Sequence, residues 1–202
     1  WRRIRWCLLL LPFSGHASTQ PWYGGLEFGH ANTSVDAAKV QQQLANAGIT
    51  AMIEVRQQSR AGYRAVIGYQ LTPMFSVEAG WVDLAKIYTN FSQFSANTTI
   101  PALYEAMPQS GDGAEVSAVS RWQLGQNWQA SLRLGAWHNR TEYQLQDPEK
   151  LSQDKQSSTR VVWGGALGYA LSERWLVKLQ FSQYHTKHYE TRLWSAGAEF
   201  RF

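Results

Sequence analysis

Residues 62–86, GYRAVIGYQLTPMFSVEAGWVDLAK, alternate in character on both sides of a very short turn at Thr72-Pro73-Met74, the pattern of two strands joined as a hairpin. One face carries Tyr63, Ala65, Ile67, Tyr69 and Leu71, then Phe75, Val77, Ala79 and Trp81. The other carries Gly62, Arg64, Val66, Gly68 and Gln70, then Ser76, Glu78 and Gly80. A sheet in water turns its charged face to solvent, where nothing calls for glycine. Here charge and glycine share a face, which suits the crowded inside of a narrow barrel whose apolar side looks outward into lipid.

The same alternation recurs along the chain. A first strand over residues 22–30 sets Trp22, Leu26 and Phe28 against Tyr23, Gly25, Glu27 and Gly29. A connection over about 31–59 follows, in which Asp36 opens a short helix with Val40, Leu44 and Ala47 at helical spacing and Gly48 stops it. After the hairpin, a second long connection over 91–112 is rich in Asn, Ser and Thr and broken by Pro101 and Pro108. Strands are then expected over 115–124 and from Trp128, joined by a turn at Gly125-Gln126-Asn127. A third polar connection, 143–158, leads to a sixth strand presenting Val161, Trp163, Leu167 and Tyr169. Ser172-Glu173-Arg174 turns the chain into the seventh, with Trp175, Val177, Leu179 and Phe181 on its apolar face. A short link near 185–190 precedes the last, which alternates Trp194, Ala196, Ala198, Phe200 and Phe202 with Ser195, Gly197, Glu199 and Arg201.

Eight strands result, with three short turns and four longer links in alternation. Antiparallel neighbours then place every short turn at one end and every longer link at the other. Each strand has about the ten residues that a tilted strand needs to cross a bilayer. Trp22, Tyr69, Phe75, Trp122, Trp128, Tyr169 and Trp175 stand near strand ends and are expected to form two interfacial girdles. The expected fold is all-β, an eight-stranded antiparallel up-and-down transmembrane β-barrel. A water-soluble barrel of lipocalin type shares the alternation but points its apolar face inward. The glycine-plus-charge face, the aromatic strand ends and the closing Phe202 argue against it.

The one long apolar run lies at the start, where Arg2, Arg3 and Arg5 precede Trp6-Cys7-Leu8-Leu9-Leu10-Leu11-Pro12-Phe13 and the small residues of Gly15-His16-Ala17. Residues 1–17 read as a secretory signal, opening here on Trp1 rather than Met, and 18–202 as the barrel domain. Removing the leader takes three arginines from the formal charge of +4 and leaves about +1, so the basic balance is no argument for nucleic acid. The single cysteine, Cys7, leaves with the leader.

The inward positions collect Glu27, Arg64, Glu78, Glu115, Arg121, Arg133, Lys178, Glu199 and Arg201. Opposite signs fall on adjacent strands: Glu27 beside Arg64, Arg64 beside Glu78, and Lys178 beside Glu199. Buried charge is tolerated only when paired, and eight strands leave little free lumen. A plugged polar interior is expected rather than an open pore.

The hairpin with its VEAG segment, WYGGLEFG at residues 22–29 and SAGAEFRF at 195–202 resemble the OmpA-like outer-membrane barrel domain over nearly the whole mature chain. The resemblance implies a barrel in the outer membrane of a Gram-negative bacterium, with structural presence and contacts through external loops. Implied partners are outer-membrane lipid including lipopolysaccharide, the barrel-assembly machinery, which reads a terminal aromatic such as Phe202, and an extracellular partner met by the loops. It implies a monomer and no cofactor. Glu78 and Lys178 match the family's interior acidic and basic positions on the third and seventh strands. Gly168 stands where an acidic residue is expected, and Arg121 is displaced by two from the family's basic position. No counterpart of the peptidoglycan-binding domain of full-length relatives is seen, so wall anchoring is not carried over.

Two other readings stand beside it. A narrow, low-conductance channel would need the charge network to switch partners. A lipid A-modifying enzyme would need a base among His138, His185 and His188, a nucleophile in Ser182 or Ser195, and Glu142 or Glu190 to orient the base. None forms a local motif; His185 and His188 have loosely metal-like spacing, but no strict ligand set accompanies them and a solvated loop is the expectation. The expectation is a barrel with no enzymatic activity.

Overall fold

The computed structural model describes residues 20–34, 37–46, 52–56, 59–84, 88–92, 111–146, 151–185 and 190–202. The expected leader and its boundary at residue 17 lie outside them, as do Asp36, Gly48 and His188.

Eight strands close into a barrel. In chain order they are β1 (Trp22–Ser34), β3 (Ser59–Gln70), β4 (Phe75–Asp83), β6 (Asp112–Gln123), β7 (Trp128–Gln146), β8 (Leu151–Ala170), β9 (Trp175–His185) and β10 (Glu190–Arg201). Each pairs antiparallel with its barrel neighbours, and β10 closes onto β1 with Leu26 opposite Ala198 and Glu27 opposite Gly197. Outside the wall lie α1 (Ala37–Asn46), where a helix is expected, and a small sheet that pairs β2 (Met52–Arg56) with β5 (Tyr88–Ser92).

The turn end is built from one recurring local pattern. Leu71-Thr72-Pro73-Met74-Phe75, Leu124-Gly125-Gln126-Asn127-Trp128 and Leu171-Ser172-Glu173-Arg174-Trp175 each run from a leucine to an aromatic residue four positions on. In each, the leucine N–H donates to the aromatic residue's carbonyl, at 2.9, 2.8 and 2.9 Å. Thr72 Oγ1 accepts from Phe75 N at 3.0 Å and Ser172 Oγ from Trp175 N at 3.1 Å. Two of the three turns are thus capped by a side chain.

The alternation puts the apolar side outward. Leu26, Ile67, Val116, Leu132, Leu134, Leu167 and Leu179 are all exposed on the outer wall. All seven aromatics expected to make two girdles lie at the turn end, because each starts a strand that rises from that end or finishes one that descends to it. Trp22 packs edge-on against Tyr69 at 4.9 Å and Trp128 against Tyr169 at 5.1 Å. The second girdle comes from other residues: Phe28, Tyr63, Trp81, Trp163, Phe181 and Trp194, with Phe181 4.8 Å from the Trp194 ring. On six strands the two aromatics stand six positions apart, as in Trp22 and Phe28 or Trp175 and Phe181. That spans roughly 20 Å of strand.

Two connections differ from expectation. Residues 143–146 and 151–158 are strand rather than loop, since β7 and β8 continue pairing up to Gln146 opposite Leu151. In the β2–β5 sheet, β2 lies within the connection read over 31–59 and β5 overlaps the start of the one read over 91–112. Both lie beyond the wall, where no lipid enforces a two-residue alternation, while the backbone still gains by pairing its N–H and C=O groups.

Candidate functional site

The inward-facing side chains of the lower and middle barrel make one connected polar structure. Arg64, from β3, is fully enclosed and reaches three carboxylates: Glu27 at 2.8 Å, Glu78 at 2.6 Å and Glu115 at 3.0 Å. Lys178 Nζ, from β9, stands 2.9 Å from Glu27 and 3.8 Å from Glu199. Arg121 donates to both oxygens of Glu199, at 2.8 and 3.2 Å, and reaches Glu78 at 3.5 Å. Arg64, Glu27, Lys178, Glu199, Arg121 and Glu78 therefore form a closed ring of alternating charge. Arg133 joins it through Glu115, which Arg64 also holds.

Glu27, Glu78, Glu115 and Glu199 match Arg64, Arg121, Arg133 and Lys178 one for one, and all eight are buried. The ring is neutral. Such pairing is what makes burial of this much charge tolerable, and removing one partner leaves its neighbours uncompensated. Arg201, read with the same set, instead lies half-buried at the turn end, opposite Tyr23.

Hydroxyl groups complete the ring, and most were missed from the sequence. Tyr23 Oη lies 3.0 Å from both Ser76 Oγ and Glu78 Oε1, and the Arg121 guanidinium sits 4.4 Å over its ring. That ring occupies the space where a Cβ on Gly68 would stand, which explains a glycine in the middle of β3. Ser117 donates to Glu115 at 2.7 Å, and so does Tyr184 Oη at 3.1 Å. Inward tyrosines among glycines were the available signal, but alternation alone does not distinguish them from apolar fillers.

Above the ring, toward the loop end, the lumen changes character. Ala31, Val82, Leu84, Trp137, Val162, Tyr184 and Leu193 form a fully buried apolar cluster. Trp137 and Tyr184 meet edge-on at 5.1 Å. Below it, a cavity of about 10 Å³ runs along the small residues Ala166 and Gly168 of β8. It shares Gln129 and Leu176 with a pocket of about 110 Å³ at the turn end, lined also by Arg174 and Arg201.

The residues weighed for catalysis are not brought together. Ser182 and Ser195 are buried inside the lumen, where Ser182 accepts from Arg133 at 2.7 Å and Ser195 donates to Glu27 at 3.4 Å. Each belongs to the polar filling, because its position shares the inward parity of the charges. His138 faces outward and bonds Thr159 at 2.9 Å, while His185 lies 3.6 Å from Glu190. The hydroxyl beside His30, on the outer wall, is that of Ser59. The Glu142 side chain lies outside the described residues. Among the described residues no cluster of His, Cys, Asp and Glu is arranged to hold a metal ion.

The family model of the OmpA-like transmembrane domain matches residues 17–194. No curated sequence matches the chain. Among solved structures, the N-terminal β-barrel domain of Pseudomonas aeruginosa OprF superposes with a TM-score of 0.54 at 15% identity, covering 91% of this chain and 98% of that one. Neisserial surface protein A superposes with a TM-score of 0.55 at 14% identity, covering 90% and 97%. At such identities these likenesses speak for the fold alone. The chain belongs to the OmpA-like transmembrane domain family and is an eight-stranded barrel of the Gram-negative outer membrane.

Proposed function

We propose that this chain is a structural and surface-interaction protein whose lumen is closed and whose contacts are made by its outer wall and loop end. The observation that carries the reading is the filled interior: a neutral, buried ion-pair ring with an apolar cluster over it, and beside the ring a cavity of only about 10 Å³. That is room for roughly one water molecule. Solute transport is therefore not what the interior is built for.

The outer wall fits outer-membrane lipid, lipopolysaccharide included, with the second aromatic girdle and the exposed His138, Arg140 and Arg192 at the loop end. Phe202 is half-exposed on the outer wall and pairs its N–H with the Trp22 carbonyl at 3.1 Å. The barrel needs no second copy to complete its wall and works as a monomer.

The test is heat-modifiability of the detergent-refolded chain on a gel, run beside tryptophan quenching by a depth-dependent lipid quencher, with conductance in planar bilayers. A faster unboiled band, quenched tryptophans and no conductance are expected. A narrow channel is the second reading, favoured by the pocket that leads inward from the turn end. Steady conductance by the unmodified chain would bring it to the front.

A further inference from the structure

We infer that the seal of this lumen is the apolar cluster around Trp137, a septum, and that the charged ring beneath it is not the barrier. The inference deepens the closed-lumen reading above and rests on it.

Three observations carry it. First, the septum draws on the whole circumference. Ala31 of β1, Val82 of β4, Trp137 of β7, Val162 of β8, Tyr184 of β9 and Leu193 of β10 all have no exposed surface. The two remaining strands contribute glycines instead. A Cβ on Gly62 of β3 would stand 3.1 Å from Leu193 Cδ1, and one on Gly113 of β6 would stand 2.7 Å from Trp137 Nε1. The bulk of the large side chains thus fills the places where these two strands have none.

Second, the charges are anchored unevenly around the wall. Arg64, Glu27, Glu78 and Glu115 gather on β1, β3, β4 and β6. The inward side of β8 at the level of the ring presents only Gly164, Ala166 and Gly168. The narrow cavity, bounded on its other side by Glu78, Arg121, Lys178 and Glu199, follows that wall upward from the turn end to Arg133 and Gln180.

Third, the cavity ends where the septum begins. Arg133 is opposite Gly164, and the next inward pair on the same two strands is Gly135 with Val162, itself opposite Tyr184. Space that passes the charges therefore stops against apolar side chains. A dry apolar constriction blocks ions without any bond having to be broken, since an ion there loses its hydration and gains no partner.

The experiment is monovalent-ion conductance in planar bilayers for refolded wild type, Trp137→Ala, Leu193→Ala and Lys178→Met, each shown folded by heat-modifiability. Wild type and Lys178→Met are expected to stay closed. Trp137→Ala is expected to give discrete open steps, about tenfold or more above the wild-type baseline, and Leu193→Ala smaller ones. Should Trp137→Ala not fold, Leu193→Ala decides by the same readout. Closed behaviour of the folded septum variants, or opening of Lys178→Met with Trp137 in place, overturns the inference. Conductance by wild type itself would instead overturn the closed-lumen reading, so the two failures are distinguishable.

Discussion

Four residues further along three of the strands, the filling of this barrel changes from charge to hydrocarbon: Glu27 gives way to Ala31, Glu78 to Val82, and Arg133 to Trp137. The two layers lie about 10 Å apart along the axis, inside the same wall. The charged layer is held by direction, with Arg64, Arg121 and Lys178 aimed at carboxylates 2.6–3.8 Å away and Arg133 at Glu115. The septum is held by volume, as seven side chains without exposed surface pack together. A layer held by direction keeps its shape when the surrounding space changes, but any one lost partner strands a buried charge. A layer held by volume fails gradually, in proportion to what is removed. The first fixes partners, and the second closes the bore.

That contrast orders the expected losses. Arg64→Met removes the hub of three carboxylates and is expected to cost about 3–5 kcal/mol of folding stability, measured by urea unfolding of the vesicle-bound barrel through tryptophan fluorescence. A loss under about 1 kcal/mol would mean that Glu27, Glu78 and Glu115 find other partners, and the layer would not be held by direction. Leu193→Ala is expected to cost about 3 kcal/mol by transfer and cavity terms, with little change in heat-modifiability. If it cost as much as Arg64→Met, the septum would behave as a rigid keystone and the comparison would fail.

How much of this could be read from the sequence depends on which periodicity a residue takes part in. The two-residue alternation is imposed by lipid on one side and a narrow lumen on the other. It therefore revealed the barrel strands, the three turns and the inward place of all eight ring residues. Arg201 shares that parity but sits below the ring, because parity tells the side of the wall and not the height. Height is a matter of register between strands, and the same gap hid the septum: Ala31, Val82, Val162 and Leu193 are unremarkable alone and form a layer only once Ala31 stands opposite Leu193 and Val162 opposite Tyr184. It also explains the girdles, since seven aromatics near strand ends read as two sets until strand direction placed them all at the turn end. Where the lipid stops, the alternation stops as well, and there the continuing β7–β8 ladder and the β2–β5 sheet went unread.

Tyr184 is the one side chain that belongs to both layers. Its ring lies in the septum 5.1 Å from Trp137, and its hydroxyl donates down to Glu115 at 3.1 Å, with the Arg133 guanidinium 6.0 Å from the ring centre. Tyr184→Phe keeps the ring and removes the bond. Glu115 still accepts from Arg64, Arg133 and Ser117, so the expected cost is about 1–2 kcal/mol in the same urea measurement. If volume alone makes the seal, the Phe variant stays closed in planar bilayers although it is less stable. A folded Tyr184→Phe barrel that conducts would mean that the septum is held shut by the grip of the charged layer, and closure would then pass from volume to direction.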